Sequence, residues 1–218
     1  MQLLLSAPRA PLAFSLLALT GVLVFALAVG VLMQPAVQLV GMERTGELVC
    51  LQLAFTPERA ASVVLGFPEA ARIGIAQLLA PGDLALAWGY GLLLAGLMAL
   101  LAMRLPGAWF RVGAVAMWVP LLATLLDCIE NGFLYAIVMG LVEAPDVLPA
   151  MALTLSASLV SSLKWIALCV VTPAFGFAGI AKGLAVDRSG SALLVYFLLF
   201  IVLLSMVIKP LQDIPACL

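Results

Sequence analysis

The chain contains no histidine. That absence removes histidine-ligated haem, histidine zinc sites, serine–histidine dyads and a histidine general base. Charge is scarce as well: ten Lys and Arg and eleven Asp and Glu, 10% of 218 residues, with a net charge of −1. A soluble domain carries about a quarter charged residues. With no basic surface, nucleic acid is not an expected partner. Cys50, Cys128, Cys169 and Cys217 show no C-x-x-C spacing, which argues against a redox or zinc motif. The sequence also lacks a nucleophile-plus-base motif, a glycine-rich phosphate loop and a metal-ligand set. No cofactor and no metal is therefore expected.

Apolar residues are abundant, at 66% of the chain. Runs of about 20 such residues recur, each long enough to cross a hydrocarbon core of about 30 Å. The alternating ten-residue segments of a membrane barrel are not found. The expected fold class is all-α: an integral membrane helical bundle of about five transmembrane helices, with short amphipathic helices in the first outer segment. The expected spans are 12–33, 83–103, 112–142, 148–180 and 191–208, within a single membrane domain. The first span exceeds the apolar stretch of a signal peptide and reads as a retained helix.

Orientation follows from basic residues near the span ends. One side holds Arg9, Arg104, Arg111, Lys182 and Arg188 against a single acid, Asp187. The other holds Arg44, Arg59, Arg72 and Lys209 against Glu43, Glu47, Glu58, Glu69, Asp83, Glu143, Asp146 and Asp213. The first side carries its bases on short loops and is expected to be cytoplasmic, with the N-terminus inside and the C-terminus outside. Cys50 and Cys217 then share the outer side. A disulfide there is conceivable, and free thiols in apolar surroundings are the expectation.

The outer segment, residues 34–82, is too long for a structureless loop. In "TPERAASVVLGF" Thr56 can cap a helix, Pro57 suits its first position and Glu58 its first turn. Ala60, Val63, Val64 and Phe67 fall on one face, and Pro68 ends the pattern. "EAARIGIAQLL" resumes it until Pro81. Two short amphipathic helices are expected, lying on the bundle or at the membrane surface. In span two, Ala87, Gly91, Ala95 and Ala99 recur every four residues, a spacing that lets helix backbones approach closely.

The chemical interest lies in "LLDCIENGFLY", Leu125 to Tyr135. Thr124, Asp127, Asn131 and Tyr135 make a helical stripe with Glu130 on its flank. Span four offers a second polar face of Thr154, Ser158, Ser161 and Lys164. At a rise of about 1.5 Å per residue, Asp127 lies roughly 24 Å from each end of its span and Lys164 roughly 27 Å from each end of its own. The two therefore meet near mid-membrane. Either charge would cost about 2.5–3.5 kcal/mol or more facing lipid, so both are expected to turn inward and pair. Two acids against one lysine leave a charge over. One carboxyl is expected to hold a proton, or to bind a cation or water, and the acids to titrate as one unit. Asp83 and Tyr90 share a face of span two. With Tyr135 they outline an expected polar cavity that opens outward and ends at Asp127 and Lys164. Pro120 and Pro173 are expected to kink their helices.

The runs "LQLAFTPERAA", "GDLALAWGYGLLLA", "LLDCIENGFLY" and "SSLKWIAL" resemble, in this order, a group of small bacterial multi-pass membrane proteins. The shared D-x-x-E-N run and following lysine match Asp127, Glu130, Asn131 and Lys164. Asp83 and Tyr90 match a further pair. The resemblance implies a bacterial inner-membrane setting and supplies no activity.

Three functions fit these residues. The favoured one binds or translocates a proton, ion or small molecule at Asp127, Glu130, Asn131 and Lys164, with Tyr90, Tyr135 and Asp83 around them. The second is an accessory or assembly subunit with a structural ion pair. The third is a membrane-embedded enzyme acting on a lipid or isoprenoid. The expected partners are the lipid bilayer and either further copies of the chain or a larger membrane complex.

Overall fold

The computed structural model describes Leu5, residues 7–41, Arg44 and residues 46–213, with side chains as far as Ile208. The described residues form helices and turns, with no strand among them. Helix α1 (Ala10–Leu27) runs on through a wider π turn, Ala28–Leu32. Four short helices follow: α2 (Gln34–Val40), α3 (Glu47–Gln52), α4 (Pro57–Leu65) and α5 (Glu69–Gln77). Then come α6 (Leu84–Ala102), α7 (Ala108–Ala116), α8 (Val119–Glu143), α9 (Met151–Ile166), α10 (Thr172–Val186) and α11 (Gly190–Asp213).

Five helical stretches are long and apolar enough to cross a membrane: Ala10–Leu32, Glu69–Ala102, Ala108–Glu143, Met151–Val186 and Gly190–Ile208. The burial pattern agrees with embedding. On α8 the exposed side chains include Leu122, Leu125 and Ile129, while Thr124, Asp127, Glu130 and Asn131 are buried. On α9, Leu155, Leu159 and Leu163 face out, while Thr154, Ser158, Ser161 and Lys164 face in. A water-solvated helix shows the reverse. Polar groups inside and leucine outside is the arrangement that a hydrocarbon solvent favours.

The expected spans are interrupted where the backbone chemistry demands it. The third is two helices, α7 and α8, divided just before Pro120, which takes the opening turn of α8. The fourth starts after Pro149 and carries a π turn, Ala167–Val171, ahead of Pro173. There the Thr172 hydroxyl donates to Ala167 O at 2.8 Å, adding a bond where the helix ladder is irregular. Ahead of α6, Ala80 adopts extended dihedrals of φ −145° and ψ 114°, which separates α6 from α5.

Close contacts group the residues into two compact units. The first comprises the chain up to Leu23, Trp88–Thr124 and the chain from Trp165 to the end of the described side chains. Its core includes Leu94, Met98, Leu101, Tyr196, Leu199 and Leu203. Arg104 and Asp187 close an ion pair of 3.0 Å in it. The Ser189 backbone N–H and hydroxyl, and then Arg104, hold the Asp187 carboxyl below the usual carboxylate range. The second unit includes Val24–Ala87 and Leu125–Lys164. In it the short helices lay Ala60, Val64, Phe67 and Ile75 against Leu134, Val138 and Ala157. The two amphipathic helices expected from sequence are α4 and α5, and Thr56 caps α4 by accepting from Arg59 N at 3.3 Å. Helices α2 and α3 were not foreseen.

Arginine fastens this segment. Arg44 stacks 3.9 Å from the Phe67 ring centroid and pairs with Glu47 at 2.8 Å, which holds the Glu47 carboxyl below its usual range. Arg72 donates to Phe67 O and Leu65 O, taking up carbonyls past the end of α4. Cys50 is disulfide-bonded, whereas Cys128 and Cys169 are in no disulfide. The expectation of a free thiol at Cys50 is thereby corrected: this cysteine stands on α3, among the short helices. Cys217 and Glu43 lie outside the described residues, as do the side chains of Lys209 and Asp213.

The small-residue row of α6 is fully buried at Ala87, Gly91, Ala95 and Ala99. A Cβ on Gly91 would run into the Thr124 hydroxyl of α8. Gly132 has open space around it. We therefore expect Gly91→Ala to lower stability by about 1–3 kcal/mol through overpacking. Gly132→Ala should leave stability unchanged or raise it slightly. Thermal melts of the detergent-solubilised protein compare the two, and equal melting points would contradict the close approach.

Candidate functional site

Asp127 and Glu130 stand three residues apart on α8, so one turn of helix presents both to the same neighbour. That neighbour is α9. Lys164 Nζ lies 2.9 Å from Asp127 Oδ1 and 2.5 Å from Glu130 Oε2. The bond to Asp127 is an aligned hydrogen bond. The Glu130 contact is one of charge and proximity, because neither Glu130 oxygen has an aligned hydrogen-bond partner. The pairing expected from the depth of the two residues is present, and Glu130 is as close to the lysine as Asp127.

The cluster is sealed. Asp127, Glu130, Asn131 and Lys164 expose 4%, 0%, 2% and 3% of their surface. This differs from the outward-opening cavity anticipated above. A groove of about 330 Å³ does exist at the turn joining α8 and α9. Its walls are mostly apolar, Ile137, Leu141, Leu148 and Leu153 among them, with Glu143 at the side, and no cluster residue lines it.

Tyr135 is 43% exposed and does not join the cluster. The buried positions of α8 run Thr124, Asp127, Glu130 and Asn131, Leu134, Ile137 and Val138, Leu141. Steps of three and four alternate along this seam, a mean of 3.5. The anticipated stripe took two consecutive steps of four after Asp127, and at about 100° per residue that carries Tyr135 off the seam. Tyr90 is half-buried against the core of the first unit. Asp83 is half-buried at the end of the broken Leu78–Asp83 segment. It feels the charges of Asp127 and Lys164 and lies within hydrogen-bonding reach of Asn131. Asn131 nevertheless has no closed bond at either amide atom. The Asp83–Asn131 approach is therefore a proximity and not a made bond. It brings a third carboxylate within electrostatic range of the one lysine.

The serines of α9 divide by role. Ser161 and Ser162 donate to Ala157 O and Ser158 O at 2.8 and 2.7 Å, the helix-backbone bonds typical of buried hydroxyls. Ser158 Oγ instead accepts from Phe55 N at 2.9 Å, across 103 residues of sequence. Phe55 has φ 56°, and Thr56 N donates to Ala54 O across it at 2.6 Å. An aromatic residue in this region is strained. Sequence reasoning missed this contact, because no glycine or asparagine advertises the turn.

Among the described residues, no group of three or more Cys, Asp or Glu side chains is arranged to hold a metal ion. Comparison with protein families, curated proteins and solved structures finds no match.

Removing the lysine should expose the cost of the buried acids. Lys164→Met is expected to destabilise the protein by about 3–5 kcal/mol, because it leaves buried carboxylates uncompensated. Adding Asp127→Asn and Glu130→Gln to that variant should recover most of the loss. Melting in detergent across the single and triple variants measures both effects. A Lys164→Met protein as stable as wild type would show that the contacts carry no energetic weight.

Proposed function

We propose that the protein is a proton-binding component of a bacterial cytoplasmic membrane, with Asp127 and Glu130 as the protonatable groups and Lys164 as their fixed counter-charge. One observation carries the reading: a single buried ammonium faces two buried carboxyls, and Glu130 Oε1 has no hydrogen-bond partner. With all three groups ionised the cluster would hold a net −1 out of reach of water. Hydrocarbon penalises that charge strongly, and the simplest neutral state places one proton on the acid pair. Two carboxyls that share a counter-ion exchange their proton as a unit, which suits a site that loads and unloads. Asp83 adds a further acid within electrostatic range.

The orientation we adopt has the Arg104–Asp187 side in the cytoplasm and the segment of α2 to α5 outside. The basic residues of the short loops support it, and so does the disulfide at Cys50, since such bonds persist in oxidising compartments. Alkaline phosphatase fused after Ala144 should be active and, fused after Val186, inactive; the reverse result inverts the topology.

Infrared titration tests the site directly. Wild type should show a protonated-carboxyl stretch above pH 6, and either Glu130→Gln or Asp127→Asn should abolish it. Absence of that band at all pH values above 6, with unchanged stability in both variants, would overturn the proton-binding reading in favour of a structural ion pair.

A further inference from the structure

A sealed protonatable site needs a path to water, and α9 carries a row of buried hydroxyls beside it. Thr154, Ser158, Ser161 and Lys164 occupy one buried face of the helix, and each is almost fully enclosed. Thr154 stands in the first turn of α9, beside the outer segment's end of the helix, and Lys164 in the last. The hydroxyls are spaced at i, i+4 and i+7, one above another. Ser161, at the deep end, lies within hydrogen-bonding reach of Glu130. Ser158, in the middle, bonds across to the turn that precedes α4. Its oxygen is taken by the Phe55 amide.

That bond is held in place by a turn with an intrinsic tendency to leave. Phe55 sits at φ 56°, a conformation that L side chains rarely adopt, and the residue is 41% exposed. The Ser158 hydroxyl ties the turn to α9. If Phe55 relaxes to a negative φ its amide swings away, and Ser158 is left free to bond water. Restoring the bond closes the path again. The two states differ by one hydrogen bond on one side and one strained residue on the other, which keeps them close in free energy.

We propose that the hydroxyl file Thr154–Ser158–Ser161 is the route by which Glu130 exchanges protons with the aqueous phase on the side of α2 to α5, and that the backbone amide of Phe55 is the latch that closes it at Ser158. Ser158 and Ser161 are thus positioning residues for proton transfer, and neither is the acceptor. The inference rests on the proton-binding reading for what travels along the route. The route and its latch can be tested without it.

The test uses the thiol hydrogen of a Ser161→Cys protein in a Cys128→Ala, Cys169→Ala background, full-length and reconstituted in lipid. The S–H stretch stands apart from other protein bands, and its replacement by S–D in deuterated water reports water access at the deep end of the file. Added Ser158→Ala removes the latch acceptor, and added Phe55→Pro removes its donor and forbids the closed φ. Each should speed exchange about tenfold, the change in open population that the loss of one hydrogen bond produces. Ser162→Ala, which leaves the Phe55 bond intact, should exchange at the parent rate. Exchange in Ser158→Ala no faster than in the parent overturns the latch, whatever Phe55→Pro does. Fast exchange in the parent itself overturns the closed route. The infrared carboxyl band of wild type is read separately. Its absence alongside latch-dependent exchange would sink the proton-binding reading and leave the route standing. Its presence with latch-independent exchange would do the opposite.

Discussion

The ammonium of Lys164, shared between Asp127 at 2.9 Å and Glu130 at 2.5 Å, is the constraint to which the second unit is built. Three ionisable groups in hydrocarbon surroundings leave few options. They must face one another, the helices carrying them must be neighbours, and their register must place a turn of α8 opposite one lysine of α9. Once α8 is so rotated, its buried seam is fixed along its length. Asp127 and Glu130 turn inward, Leu134, Val138 and Leu141 follow on the same seam, and Leu122, Leu125 and Ile129 are turned out. The apolar half of that seam is the floor on which the short helices α4 and α5 rest through Val64, Phe67 and Ile75. A polar interaction thus orients the helix, and dispersion and close fit complete the packing.

The sequence was most legible where the solvent dictates the answer. Five apolar stretches of spanning length, and the cost of charge among them, are enough to bring Asp127 and Lys164 to the same depth. The capping chemistry of Thr56 and Pro57 foretold α4 in the same way, because the signal is local. Legibility failed where the outcome depends on accumulated helical phase or on a partner distant in sequence. Tyr135 was assigned inward by steps of four, while the packed seam advances by 3.5. The disulfide at Cys50 is not legible either, since residue spacing alone does not reveal the bond. The Phe55–Ser158 bond joins a turn to a helix 103 residues away, and no residue preference marks it.

Packing and chemistry separate among the buried polar residues. The hydroxyls of Thr124, Thr154, Ser161 and Ser162 each donate to the carbonyl four residues back along the chain. They are what buried hydroxyls do by default in an apolar environment. Asn131 and Glu130 are different. They are enclosed, carry strong donors or acceptors, and close no aligned hydrogen bond. Buried groups of that kind are rare because each forfeits its hydration without return. Their proximity to Asp83 and to Ser161, neither of which completes the bond, describes a site with capacity in reserve.

A purely architectural account of the cluster has to explain that reserve. One aspartate and one lysine are sufficient to pin α8 against α9, and the aligned Lys164–Asp127 bond does so. Glu130 adds nothing to the register that Asp127 has not already set. It adds instead a second buried carboxyl, an unsatisfied oxygen and a charge that the single lysine cannot neutralise while Asp127 is ionised. An apolar residue of similar volume would cost less at that position. The energetic penalty becomes intelligible if the second acid holds a proton in one state and gives it up in another. The serine face of α9 then matters for the same reason: it brings the Ser161 hydroxyl to the one carboxyl that the register does not need. The physical distinction between a strut and a site therefore falls on Glu130, not on the Asp127–Lys164 pair that is easier to see.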